Sequence, residues 1–105
     1  MTDSTRSKNF LQALDPLIHA PARLNIVTNL YVVESADFIF LKNLTGLTWG
    51  NLSAHLSKLE EAGYVEIEKT IVNKKTHSIA RMTAEGRLAF EDYRNTMSEI
   101  LDNKN

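Results

Sequence analysis

Leu47-Thr48-Trp49-Gly50-Asn51-Leu52-Ser53-Ala54-His55-Leu56-Ser57-Lys58-Leu59-Glu60-Glu61-Ala62-Gly63-Tyr64-Val65 holds one helix together with the signals at both of its ends. Thr48 offers a side-chain oxygen to cap the first turn. Leu52, Leu56 and Leu59 recur at helical spacing, and Gly63 after Ala62 is the expected left-handed stop. Upstream, Ser35-Ala36-Asp37 restarts the chain, and Asp37 is placed to cap a shorter helix bearing Phe38, Ile39, Leu41 and Leu44. Thr45-Gly46-Leu47 joins the two, with Gly46 free to take positive φ. Two short helices around a glycine-containing turn make a helix-turn-helix pattern.

Past Gly63 the hydrophobic period changes from 3.6 to 2. Val65, Ile67 and Lys69 share one face of a strand, with Glu66 and Glu68 on the other. Val72-Asn73-Lys74-Lys75-Thr76 reads as a polar connector, and His77 to Met82 as a second strand, giving a β-hairpin. Thr83-Ala84-Glu85 caps a last helix that carries Phe90, Tyr93, Met97 and Ile100, and Asp102 to Asn105 should fray. In the other direction, Phe10, Leu11, Leu14, Leu17 and Ile18 fall at helical intervals. Asp15-Pro16 divides them into a short lead helix and a second one. Pro21 opens the next helix, lined by Leu24, Ile26, Val27, Leu30, Tyr31 and Val33 to about Glu34. Helix, helix-turn-helix, hairpin, helix is a winged helix arrangement: a mainly α fold with a β-hairpin wing, occupying residues 1–105 as one domain.

Composition narrows the function. With 105 residues, 43% hydrophobic and 24% charged, the chain has the balance of one small globular domain. It contains no cysteine, so disulfides, thiolate metal sites and cysteine nucleophiles are excluded. Phe38-Ile39-Phe40-Leu41, a wholly apolar run, is far shorter than the roughly 20 residues of a membrane helix. Met1 to Asn9 reads as polar rather than as a signal peptide. These features predict a soluble cytoplasmic protein with no membrane association. The net charge of −1 is unevenly distributed. Residues 1–47 balance to zero, 48–68 carry −3, and 82–105 carry −2, whereas 69–81 carry +4 with no acid at all. The hairpin is therefore the one basic stretch.

The segment quoted above also resembles the recognition-helix region of small ArsR-like and MarR-like winged helix transcriptional regulators. The similarity continues through Lys75-Thr76 and Met82-Thr83-Ala84-Glu85-Gly86-Arg87. Leu14-Asp15-Pro16 and His19-Ala20-Pro21-Ala22-Arg23-Leu24 look like the family's opening, so the resemblance covers roughly residues 13–101. It implies a homodimer that binds a partly palindromic operator in double-stranded DNA and represses transcription. The second helix of the pair would enter the major groove, with the wing along the backbone or minor groove.

The residues supply matching chemistry. Turning Leu52, Leu56 and Leu59 toward the core turns Gly50, Asn51, Ala54, Ser57, Lys58 and Glu61 outward at 100° per step. Asn51 can bond an adenine edge, Ala54 can touch a thymine methyl, and Ser53 lies beside them. Thr48 and the first-turn amides can hold a phosphate, and Gly50 allows close approach. Trp49, at the edge of the apolar stripe, is expected to pack beneath the turn against Leu44 or Leu47, with contact to DNA as the alternative. Lys69, Asn73, Lys74, Lys75 and Arg81 would meet phosphates from the wing, although lysines on a hairpin edge also serve simply to prevent aggregation.

Other groupings carry less. His19, His55 and His77 fall on three elements with no metal-ligand spacing, and His55 reads as a hydrogen-bonded packing residue. Glu66 and Glu68 lie on the outer face of a strand without a nucleophile or phosphate loop, so neither catalysis nor a cofactor is expected. Phe10, Leu11, Leu14, Phe90, Tyr93, Met97, Ile100 and Leu101 exceed what a winged helix core needs. They are expected at a dimer contact, with packing on their own chain as the alternative. A two-fold dimer would set two recognition helices about 34 Å apart. The competing reading is a winged helix used as a protein-interaction module, suggested by the modest charge. Operator sequence and any small-molecule effector are not legible in the residues.

Overall fold

Pro21 begins the first long helix because Ala20 is held extended (φ −147°, ψ 128°) and the proline lacks the N–H that a first-turn position leaves unused. In the computed structural model, which describes residues 13–102, this helix, α1, spans Pro21–Val33. The elements that follow are β1 (Ser35–Asp37), α2 (Phe38–Thr45), α3 (Trp49–Glu61), β2 (Val65–Val72), β3 (Lys75–Met82) and α4 (Ala84–Asp102). The expected order of helix, helix-turn-helix, hairpin and helix is present. Phe10 and Leu11, with most of the expected lead helix, lie outside the described residues.

The expected caps form. Asp37 accepts from the Phe40 N–H at 2.7 Å and Thr48 from the Asn51 N–H at 3.2 Å. Gly46 takes φ 74° between α2 and α3, and Gly63 takes φ 82° after α3. Thr83 accepts from the Gly86 N–H at 2.9 Å at the start of α4.

Four local expectations are corrected. Residues 16–20 form turns and bends, not a second helix. Asp15 accepts from the Leu17 N–H at 2.9 Å and from the His19 N–H through its carbonyl at 2.8 Å, but Pro21 ends the run before it can propagate. Ser35–Asp37 is a strand as well as a helix entry, pairing antiparallel with β3 through Ala36↔Ala80. The wing connector is only Asn73-Lys74, since β2 and β3 pair down to Val72↔Lys75. Both turn residues are left-handed, at φ 52° and 67°, the geometry of a tight two-residue hairpin turn. Finally, Val33, expected on the apolar side of α1, is exposed, and on α2 only Leu41 is buried while Ile39, Phe40 and Leu44 stay about half exposed.

The sheet order is β1-β3-β2, all antiparallel. Its inner face and the helices enclose one core containing Ile18, Ile26, Leu30, Leu41, Leu52, Leu56, Leu59, Val65 and Ala80, all essentially inaccessible. Burying a leucine or isoleucine contributes about 1.5–3 kcal/mol, so the three leucines of α3 alone fix which face of that helix is left outward. The Met82 N–H donates to the Glu34 carbonyl at 2.8 Å, which ties the root of the wing to the end of α1.

Candidate nucleic-acid interface

The burial of Leu52, Leu56 and Leu59 leaves Gly50, Asn51, Ser53, Ala54, Ser57, Lys58 and Glu61 exposed on α3. Among the described residues, nothing beyond its chain neighbours and its own helix backbone lies within 4 Å of where a Gly50 side chain would begin, so this end of the helix is open to an approaching surface. Thr48 is exposed beside it, its hydroxyl engaged with the Asn51 amide. The earlier first-turn amides are those an α-helix leaves outside its own ladder, and they carry the positive end of its dipole.

Trp49 is 49% exposed and does not pack beneath the turn. Leu41 is fully buried and Leu47 packs against the core, whereas Trp49 is in neither group. Instead the indole stands over the outer surface with the Lys42 ammonium 5.5 Å from its ring centroid. Lys42, from α2, is thus a cation at this face that the sequence reading missed. The turn folds it back toward Trp49, and no local spacing signals that approach.

Between Trp49, the start of α2 and the first half of β3 lies a cleft of about 360 Å³, lined by residues including Phe38, Ile39, Lys75 and His77. The wing projects past it. Lys69, Asn73, Lys74 and Lys75 are exposed along its outer half, and Arg81 is exposed at its root, paired in register with Glu66. The residues expected to read bases and those expected to meet phosphates thus occupy α3 and an adjoining hairpin.

The histidines do not converge. The His19 Nδ1 lies 2.8 Å from the Tyr93 hydroxyl, His55 faces Arg23, and His77 is on the wing. Among the described residues no group of three His, Cys, Asp or Glu could hold a metal ion. None of the described helices is long and apolar enough to cross a membrane. Tyr64 donates to Asp15 Oδ2, and burial followed by this bond and the nearby Asp15 and Glu85 charges pushes its phenol up to about 12. It stays neutral and tethers the segment before α1 to the end of α3.

The residues expected at a dimer contact divide. Leu14, Phe90 and Tyr93 are buried within the chain, Met97 and Ile100 are partly covered, and Leu101 is 74% exposed. A second cleft of about 300 Å³ runs between α1 and α4, bordered by Leu24, Thr28, Met97 and Leu101.

Four helices around one core with a paired wing, an outward polar face on the second helix of the turn and a basic hairpin define a winged helix DNA-binding domain. Residues 22–101 match the winged helix DNA-binding domain family, and the chain belongs to it. It is 39% identical over 77 residues to an uncharacterized protein of Methanocaldococcus jannaschii, an alignment covering 73% of this chain and 84% of that one. A transcriptional regulator homologue from Pyrococcus horikoshii superposes with a TM-score of 0.82 at 24% identity, covering 90% of this chain and 92% of the other. A MarR mutant from E. coli complexed with operator DNA superposes with a TM-score of 0.68 at 18% identity, over 93% of this chain and 70% of MarR. The fold is that of MarR-type transcriptional regulators.

Proposed function

We propose that this protein is a cytoplasmic, homodimeric regulator that binds a specific double-stranded operator and represses transcription. The observation that carries the reading is the division of α3: three leucines fully buried, and eight small, polar or charged residues exposed beside a basic wing. In this reading Asn51, Ser53 and Ala54, with Ser57 at the far edge, meet base edges in the major groove. Thr48 and Lys58 hold flanking phosphates, while Lys69, Asn73, Lys74, Lys75 and Arg81 position the wing. The E. coli MarR relative bound to operator DNA supports the same use of the fold.

Dimerisation would use the far end of α4. Leu101 is exposed and Met97 and Ile100 only partly covered, and Phe90 and Tyr93 support them from the core. Joining two copies there would cover these side chains and the cleft between α1 and α4. A protein-interaction role is the second reading, favoured by the half-exposed Ile39, Phe40 and Leu44 on α2.

Selection of bound sequences from random duplex DNA at two salt concentrations tests the proposal. Enrichment of a palindrome with half-sites about one helical turn apart is expected. Enrichment of nothing at low salt would sink the operator reading. Affinity for a protein partner that changes little with salt would favour the second reading.

A further inference from the structure

Two branched apolar side chains stand at the tip of the wing. Ile71 is 76% exposed and Val72 is 49% exposed, immediately before the Asn73-Lys74 turn. Ile71 lies opposite Thr76 and shares its strand face with Val65, Ile67 and Lys69. The stripe that is core at the root of the wing is therefore bare at its tip, where neither Ile71 nor Val72 packs against the hydrophobic core. Threonine would satisfy the strand equally well, since it is also β-branched. The turn beyond is costly in another way. Lys74 sits at φ 67°, where glycine is at ease and a lysine is not. Backbone strain and exposed isoleucine together present one object: an apolar tip with Lys69 on the face of Ile71 and with Lys74 and Lys75 in and just after the turn.

Charge selects what can cover that point. Residues 69–81 carry four bases and no acid. A surface that accepts them must be anionic at its rim and apolar within. The minor groove of a duplex has this construction, with phosphates along both edges and deoxyribose C–H groups along its walls.

We infer that Ile71 is a minor-groove wedge. Resting on the DNA-binding reading above, it presses against deoxyribose and opens a flexible base step, while the three lysines sit on the adjacent phosphates. The wing then selects deformable sequence as well as supplying charge, and the part owed to Ile71 does not depend on salt.

The test uses the full chain with two short duplexes, one of alternating T and A and one of alternating G and C, at low and physiological salt. Affinity is measured alongside the bend of each duplex, read by energy transfer between end labels. Ile71→Thr keeps the branched strand residue, and unchanged melting confirms that the fold is intact. It is expected to weaken binding to the T-A duplex about tenfold, by a similar factor at both salts, and to reduce the bend and the preference over G-C. Lys74→Ala with Lys75→Ala should weaken binding mainly at low salt. If Ile71→Thr binds and bends DNA like the parent while the lysine variant loses salt dependence, the wedge is wrong and the wing remains a phosphate contact. If neither variant changes binding, the wing itself is off the DNA and both ideas fall. If Ile71→Thr instead alters only sedimentation, the tip contacts another copy and the wedge is overturned.

Discussion

Arg23 reaches from α1 to α3, its Nη1 lying 3.2 Å from Nδ1 of His55 while its Nε donates to the Leu17 carbonyl at 2.6 Å. A guanidinium only donates, so Nδ1 accepts and the neutral imidazole carries its proton on Nε2. Burial, then the Arg23 charge, then the Lys58 charge hold this histidine below its ordinary value of 6.5. The fold thus prefers the neutral ring, and the unfolded chain binds the extra proton. Stability from this site is full above the ordinary value and is lost as pH falls through the lower folded one. His55→Gln, able to accept from Arg23 but unable to titrate, should flatten the acid side of a plot of urea midpoint against pH. An unchanged slope would assign that limb to other groups.

Gly86 stands in the first turns of α4, where a Cβ would collide with the Tyr64 carbonyl and come within 2.8 Å of Met82 Sδ. Two effects oppose each other in Gly86→Ala. Helix propensity favours alanine by about 1 kcal/mol. Overpacking against backbone costs about 1–3 kcal/mol, with little room to relax because Tyr64 is pinned by Thr83. Net destabilisation is expected in a urea melt; stabilisation would mean that α4 can slide.

Lys74→Gly should move stability and binding in opposite directions. Relieving a left-handed lysine gains about 1–2 kcal/mol, and the added freedom of the unfolded glycine returns part of that, leaving about 0.5–1 kcal/mol. DNA affinity should fall as a phosphate contact disappears. A variant that is both more stable and equally tight would remove Lys74 from the interface.

Asn51→Ala separates reading from holding. It should relax preference at one or two base pairs, each by about 1–3 kcal/mol, while leaving the salt slope in place. Lys74→Ala with Lys75→Ala should do the reverse, lowering the slope by about 0.9 per lost phosphate contact across all sequences. Binding-site selection with each variant at two salt concentrations distinguishes them. Retention of every base preference by Asn51→Ala would take it out of the groove.

The legible parts of this fold were those with a repeated signal. Leu52, Leu56 and Leu59 report three times on one face, and Thr48 and Gly63 mark the ends, so α3 and its outward residues followed from spacing alone. Ser35–Asp37 could not be read the same way, because three residues hold no period and the pairing of Ala36 with Ala80 spans 44 positions. The hairpin turn was hidden by Lys74, which occupies the position where glycine normally announces such a turn. Trp49 was misplaced because it lies three residues before Leu52, in line with the buried stripe. At the first residue of a helix that line runs out past the end of the core. Lys42 reaches the same face through tertiary folding, which no local pattern records.

Thr83 has a mechanical consequence. Its hydroxyl donates to the Gly63 carbonyl at 2.6 Å and accepts from the Gly86 amide, and its own amide donates to Tyr64 at 3.1 Å. The foot of α3, the root of the wing and the start of α4 are thereby pinned to one fulcrum. A helix of 19 residues is a lever about 28 Å long. Torque applied near Leu101 is therefore delivered at the foot of α3 through the hydrogen bonds of a single residue.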